Sequence, residues 1–194
     1  MRRTVVFVVL AAVGILAGAG VGLWLMNGER GSSASASAVG GPFRLTAHDG
    51  RTVTEGDFRG MPILVFFGFT HCPDICPTTL FEVSEMMGRL GADASRTQAL
   101  FVTVDPERDT SEVLASYLGS FHPRILGLRG DAAATADIVR AFRVYAKKVP
   151  LASGDYTMDH TAVVYLMDKD GRFVAPFNLK RPPEAAAAEF RRYF

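Results

Sequence analysis

The chain has 194 residues, 48% of them hydrophobic, and its 21 Lys and Arg against 20 Asp and Glu give a formal net charge of +1. Because the two signs are interspersed, the chain lacks the concentrated positive surface that nucleic-acid binding requires, and we expect no nucleic-acid partner. Lys147 and Lys148, near Arg140 and Arg143, are typical of a solvated face, with partner docking as the alternative.

Residues 1–26 predict a membrane anchor. Arg2 and Arg3 are followed by an uncharged run from Val5 to Met26. At about 1.5 Å of rise per residue this run spans roughly 33 Å as a helix, enough for the ~30 Å hydrocarbon core of a bilayer. A cleaved signal peptide, with Ala34–Ser35–Ala36 at its cleavage site, is the alternative, although the run is longer than a usual secretory segment.

The charges at the N-terminus also predict a location. By the positive-inside rule Arg2 and Arg3 hold the N-terminus in the cytoplasm, so the rest of the chain lies beyond the membrane. A mitochondrial protein would need a transit segment before its anchor. We therefore expect a single-pass protein of the bacterial inner membrane, with its C-terminal domain in the periplasm.

Two further segments follow the anchor. Residues 27–41 consist largely of Gly, Ser and Ala, which is typical of a flexible linker. Residues 42–194 have the right length for one domain with its own hydrophobic core.

The domain alternates between strand and helix patterns. A hairpin is predicted around Asp49–Gly50, then a buried strand over residues 62–69 and a helix after it. The elements that follow are a buried strand over 99–105, a helix from 110, a short strand or loop at 125–128, a helix capped by Asp131, two strands around Asp170–Gly171 and a terminal helix containing Pro183. This order predicts an α/β fold, a thioredoxin-like mixed sheet with helices on both faces, preceded by one transmembrane helix.

The only two cysteines, Cys72 and Cys76, lie four positions apart and each precedes a proline. They follow the buried strand at its carboxyl end, where open α/β sheets place their functional groups. Because proline is tolerated at the start of a helix, we expect the helix to begin at Pro77, with Cys76 near its N-cap and Cys72 in the loop. A helix N-terminus lowers a thiol pKa, provided that the thiol is not buried in apolar surroundings.

Thiolates are both nucleophiles and metal ligands, so the pair alone leaves redox chemistry and metal binding open. A structural disulfide here would close only a tiny loop and stabilise little. The C-x-x-x-C spacing has one residue more than the C-x-x-C of thioredoxin-like reductases, which leaves room for an ion between the sulfurs. A soft metal such as Cu(I) would need a third ligand.

Four histidines are candidates for that ligand. His48 and His122 lie beside predicted turns and are typical surface or loop residues. His71 adjoins Cys72, but neighbouring residues of an extended segment point to opposite sides, which favours a supporting role. His160 ends a predicted loop and opens the first strand of the last hairpin, which faces the cysteine loop in a thioredoxin-like layout. A structural histidine at a strand edge remains the alternative for it.

Four segments resemble the SCO/SenC family, membrane-tethered thioredoxin-fold proteins that bind copper and help assemble cytochrome c oxidase. They are FFGFTHCPDICPTTL (66–80), VTVDPERDT (102–110), AFRVYAKKV (141–149) and DYTMDHTAVVYLMDKDG (155–171). The segments occur in order through the whole domain, 42–194. The resemblance implies that Cys72, Cys76 and His160 bind one copper ion per monomer, as Cu(I) or Cu(II).

Other motif residues have less defined roles. Asp74 either tunes the thiols or fills a turn, and Asp159 either orients His160 or caps a strand end. DPERDT (105–110) is interpreted as a turn and helix start. Many relatives carry Lys after the Gly before the central strand, whereas this chain has Gly60–Met61–Pro62.

The resemblance implies a copper metallochaperone that serves the dinuclear copper centre of cytochrome c oxidase subunit II. A periplasmic copper donor or thiol reductant would be a further partner. The alternative is a thiol-disulfide oxidoreductase that reduces the copper-centre cysteines of the same subunit, with Cys72 attacking and Cys76 resolving. A peroxidase that forms a sulfenate at Cys72 is a third possibility. Two sulfurs and one nitrogen argue against structural zinc, which takes four ligands.

Overall fold

The structure, a computed structural model, describes residues 39–194, so the predicted anchor (1–26) and the linker as far as residue 38 lie outside it. In the described part, no helix has the length and apolar character needed to cross a bilayer. The last residues of the predicted linker lie against the domain. Val39 packs against the core, and the Gly40 amide donates to the Ala141 carbonyl at 2.9 Å.

The described residues form a seven-stranded mixed sheet and a separate two-stranded sheet. The strands are β1 Arg44–Ala47, β2 Thr52–Thr54, β3 Ile63–Gly68, β4 Gln98–Thr103, β5 Ile125–Arg129, β6 Ala146–Pro150, β7 Tyr156–His160, β8 Val164–Met167 and β9 Phe173–Pro176. The large sheet has the order β2-β1-β5-β4-β3-β8-β9, and β6 pairs with β7 alone.

Strand β3 lies inside the core. Each of its six residues is buried, which explains the continuous apolar run in the sequence. It pairs in parallel with β4, placing Phe66 beside Phe101, and antiparallel with β8. The predicted mixed α/β sheet with helices on both faces is confirmed.

Four α-helices complete the described domain: α1 Ile75–Leu90, α2 Ser111–Leu118, α3 Ala132–Ala141 and α4 Pro183–Phe190. Short 3-10 turns occur at Glu55–Phe58, Gly91–Arg96 and Arg191–Tyr193. Asp131 caps α3 as predicted, since its carboxylate accepts from the Ala134 amide at 2.8 Å. Thr110 caps α2 in the same way, by accepting from the Val113 amide.

Both predicted turns with glycine are confirmed. Gly50 and Gly171 have positive φ angles of 88° and 72°, in the region that side chains with a Cβ rarely adopt. They join β1 to β2 and β8 to β9 in antiparallel pairs.

The predicted loop before the last hairpin is wrong. Residues 150–160 are largely part of a hairpin made by β6 and β7, which turns at Leu151–Asp155 with Gly154 at a φ of 88°. The residues of β6 are exposed or only partly buried. A strand that is not buried on either face carries no apolar alternation, so the sequence pattern gave no sign of it. The strand of the last hairpin accordingly begins at Val164, and His160 ends β7 instead of opening that strand.

Candidate metal centre

The cysteine loop joins the carboxyl end of β3 to α1. Cys72 lies in this loop and is partly buried, and its amide donates to the Phe69 carbonyl at 3.2 Å. Cys76 is completely buried, at 0% exposure. The two thiols therefore occupy different surroundings, one reachable from solvent and one inside the core.

The predicted start of the helix is wrong by two residues. Helix α1 begins at Ile75 with Asp74 as N-cap, so Pro77 is its third residue. Proline is tolerated there because the first amides of a helix have no partner within the helix. Cys76 consequently lies within the first turn, on the side of the helix that faces the core.

Glycine at position 68 makes room for the Cys76 sulfur. A Cβ added to Gly68 would lie 2.8 Å from Cys76 Sγ and 2.7 Å from Cε2 of Phe101. Both distances are below those that real Cβ contacts show. The close approach of sulfur to the backbone of β3 therefore requires glycine, and sequence reasoning missed this residue. A glycine within a buried strand pattern is the signal that could have found it.

Burial governs the protonation of Cys76. Removal from water raises the pKa of the Cys76 thiol strongly, and a backbone hydrogen bond from Phe69 opposes this only in part. The helix N-terminus was expected to lower the pKa of a thiol that is not buried in apolar surroundings. Cys76 is buried, so it does not meet that condition. A bound cation would supply the compensating charge that the thiolate lacks here.

His160 faces the cysteines from β7. Its Nε2 lies 3.7 Å from Cys76 Sγ, and its Nδ1 lies 3.1 Å from the Thr161 carbonyl oxygen. Because a carbonyl can only accept, Nδ1 carries the hydrogen and Nε2 presents its lone pair to the sulfur. The rings of Phe69 and Phe66 also pack against the imidazole in T-shaped arrangements, with centroids 5.7 Å and 6.5 Å away.

The three predicted ligands therefore converge. One ligand atom from each of Cys72, Cys76 and His160 lies within 4.8 Å of the others. Two thiol sulfurs and one imidazole nitrogen form a donor set that suits Cu(I) and other soft ions. Three donors leave a position open, unlike the closed four-ligand cages of structural zinc.

The other histidines lie outside this cluster and have hydrogen-bond partners of their own. His71 Nδ1 lies 3.1 Å from the Thr70 hydroxyl. His48 accepts from the Gly127 amide at 2.9 Å and His122 accepts from the Arg124 amide at 3.1 Å, both through Nδ1.

The contacts of the two motif aspartates, Asp74 and Asp159, are with residues other than His160. Asp74 sits at the N-cap of α1, where Oδ1 faces the Thr78 hydroxyl at 3.5 Å. Asp159 is exposed and pairs with Lys147 in the β6–β7 ladder. Since successive strand residues point to opposite faces, Asp159 and His160 point apart, and the Thr161 carbonyl orients the ring instead.

Sequence reasoning also missed Asp109, which it assigned to a turn and helix start. This carboxylate is completely buried. It accepts from both the amide and the hydroxyl of Thr70, the latter at 2.6 Å, and from the Thr103 hydroxyl at 2.5 Å. Asp109 thereby ties the cysteine loop to the end of β4.

The profile of the SCO1/SenC family matches residues 31–194. The chain belongs to the SCO1/SenC family. Among its SCO relatives is the bovine mitochondrial SCO2 homolog, 41% identical over 192 residues, covering 92% of this chain and 72% of that protein. The human mitochondrial SCO1 homolog is 40% identical over 154 residues, covering 77% of this chain and 51% of that one. The chain thus spans between half and three quarters of these mitochondrial SCO proteins.

Solved SCO structures have the same fold. Bradyrhizobium japonicum ScoI with copper bound is 58% identical, with a TM-score of 0.79 over 81% of this chain and all of that one. Yeast Sco1 with copper bound is 34% identical, with a TM-score of 0.73 over 80% of this chain and 88% of that one.

Proposed function

We propose that this chain is a copper metallochaperone: it binds one copper ion through Cys72, Cys76 and His160 and delivers it during cytochrome c oxidase assembly, to the dinuclear copper centre of subunit II. The convergence of the three donor atoms within 4.8 Å carries the proposal. Membership of the SCO1/SenC family and the copper-bound structures of its relatives support it.

The differing burial of the donors suits a protein that releases its ion. Cys72 is partly exposed, so a thiolate of an acceptor protein can approach the metal from that side. Three ligands leave a coordination position for the incoming donor, and the ion then passes by stepwise ligand exchange. A delivery site needs this access, whereas a structural site would enclose the ion.

The proposed delivery takes place outside the cytoplasm. Arg2 and Arg3 before the uncharged run support an anchor in the bacterial inner membrane with the domain in the periplasm. Oxidase copper centres exposed to that compartment would then be within reach of a tethered domain.

Copper titration of the full-length protein in detergent tests the proposal. With Cu(I) supplied from a chromophoric chelator, we expect one ion per monomer, and we expect His160→Ala to weaken affinity at least tenfold, because the imidazole is one of three donors. His48→Ala is the matched control, since it removes an imidazole that lies outside the cluster and accepts from the Gly127 amide, and its affinity should match wild type. Unchanged binding by His160→Ala would overturn the ligand set.

A second function, thiol-disulfide exchange, is favoured by one observation, the pairing of a reachable thiol with a buried one. Cys72 would attack a disulfide of the partner, and Cys76 would then close an internal disulfide, so that two electrons pass to the partner. In a reductase assay Cys72→Ser would abolish turnover and His160→Ala would retain it. Turnover retained by Cys72→Ser would exclude this function.

A further inference from the structure

The loop between β4 and α2, residues 104–110, contacts both segments that carry the proposed ligands. On one side Asp109 holds the cysteine loop through Thr70, as described above. On the other side Asp105 and Arg108 contact the β6–β7 hairpin, which ends in His160. Asp105 is 2% exposed and Asp109 is completely buried. A buried carboxylate is stable only when it is hydrogen-bonded, so losing either contact would destabilise the protein.

Tyr156 is the hairpin residue that receives these contacts. Its hydroxyl donates to Asp105 Oδ1 at 2.9 Å, and its carbonyl accepts from Arg108 Nη1 at 2.9 Å. Arg108 also pairs with Asp105 through Nε at 2.6 Å, with its side chain only 17% exposed. Asp105, Arg108 and Tyr156 thus form a closed, mostly buried set of hydrogen bonds between the loop and the hairpin.

The Tyr156 ring lies near two cations. The guanidinium carbon of Arg108 is 3.7 Å from its centroid and Lys148 Nζ is 4.1 Å from it. Lys148 in turn binds the Glu107 carboxylate of the loop at 2.7 Å. Cation–π contacts of this kind add to the hydrogen bonds, and more so where the pair is withdrawn from water.

The hairpin needs an external support. A two-stranded hairpin is marginally stable in water, and β6 and β7 pair only with each other. Within β7 the side chains of Tyr156, Met158 and His160 lie on one face because side chains alternate. Holding Tyr156 against the loop therefore keeps the face that carries His160 turned toward the cysteines.

We propose that Arg108 and Tyr156 are positioning residues for the metal centre: they fix the hairpin of His160 to the same loop that holds the cysteine segment through Asp109. This inference rests on the proposed copper function. Side chains that orient a metal ligand from behind affect affinity by about 10- to 100-fold when they are removed. Arg108 and Tyr156 would act in this way on His160 through strand β7, and neither belongs to the cluster of three donor atoms.

A double-mutant cycle tests the inference. Cu(I) affinity is measured by chelator competition in the full-length protein for wild type, Tyr156→Ala, His160→Ala and the double variant. We expect Tyr156→Ala to lose about 10- to 100-fold in affinity when His160 is present. In the His160→Ala background the same change should cost less than about threefold, because residues that act through one group are not additive. Equal losses in both backgrounds would overturn the inference.

Controls separate positioning from loss of stability. Arg108→Gln removes the contact from the loop side and should lower Cu(I) affinity in the same way as Tyr156→Ala, with His160 present or absent. It replaces Tyr156→Ala in the test if that variant does not fold. Asp131→Ala removes the cap of α3 and destabilises the domain away from the site, so its copper affinity should match wild type. If Asp131→Ala lost as much copper affinity as Tyr156→Ala, both losses would be explained by lower stability of the domain. That result would overturn the inference.

A readout without metal completes the test. Amide hydrogen exchange of residues 156–160 in the metal-free protein should speed up in Tyr156→Ala and Arg108→Gln and remain unchanged in Asp131→Ala. If His160→Ala itself leaves affinity unchanged, the proposed ligand set fails and the inference fails with it. If His160→Ala weakens binding and Tyr156→Ala does not, the inference alone fails.

Discussion

Replacing Gly68 by alanine should damage the site from behind the cysteines. The new Cβ would lie 2.8 Å from Cys76 Sγ, and ordinary contact begins at 3.4 Å, so the sulfur would have to retreat by about 0.6 Å to restore ordinary contact. Phe101, at 2.7 Å, is completely buried, so its ring cannot turn out into solvent to relieve the contact. Overpacking of this kind costs about 1–3 kcal/mol of stability.

A displacement of that size is as large as the tolerance of a binding site. Ligand constellations must be held within about 0.5 Å of their productive geometry. We therefore expect Gly68→Ala to weaken Cu(I) affinity by about tenfold or more, with a loss of about 1–3 kcal/mol in the free energy of unfolding. Chelator competition measures the affinity, and urea denaturation of the metal-free protein measures the stability.

Gly88→Ala is the matched control. Gly88 lies within α1, and a Cβ added there meets nothing within 4 Å. Alanine should stabilise the helix by about 0.5–1 kcal/mol and leave copper affinity unchanged. Wild-type copper affinity in Gly68→Ala would refute the argument that the glycine is needed to seat the Cys76 sulfur.

Two further predictions concern the thiols and a histidine outside the site. The variant Cys76→Ser keeps only Cys72, and Cys72→Ser keeps only Cys76. Iodoacetamide should alkylate Cys72 at least about tenfold faster than Cys76, because burial hides the Cys76 thiol and raises its pKa. Equal alkylation rates by mass spectrometry would contradict this. Burial and the Arg124 cation lower the pKa of His122 below its usual value of about 6.5, so the folded state binds that proton less readily than the unfolded state. The stability from the neutral ring is present above about pH 6.5 and is lost as the pH falls through the lowered pKa. His122→Asn should therefore show a shallower decline of Tm between about pH 7 and pH 5 than wild type, and parallel declines would contradict the assignment.

The sequence predicted the sheet and the three converging side chains for identifiable reasons. β3 is an uninterrupted apolar run, and the only two cysteines stand directly after it. His160 required more, since topology left it open between a ligand and a structural residue, and the family resemblance selected it.

The missed features depend on partners that are distant in the chain. The Asp109 carboxylate is buried because Thr70, 39 residues away, and Thr103 supply its donors. Composition cannot distinguish such a carboxylate from a solvated one. The β6–β7 hairpin was missed because its strands are exposed or half-buried, so their sequence has no hydrophobic alternation that would predict a strand.

The hairpin of His160 leaves and re-enters the domain at neighbouring points. Tyr145 and Thr161 are hydrogen-bonded to each other at its base, and the seven-stranded sheet is complete without it. The imidazole donor thus lies on a hairpin outside the seven-stranded sheet, while both sulfur donors lie in the segment that joins β3 of that sheet to α1. The third donor is therefore encoded apart from the dithiol, so a change in the hairpin can alter ion binding while the two thiols are kept.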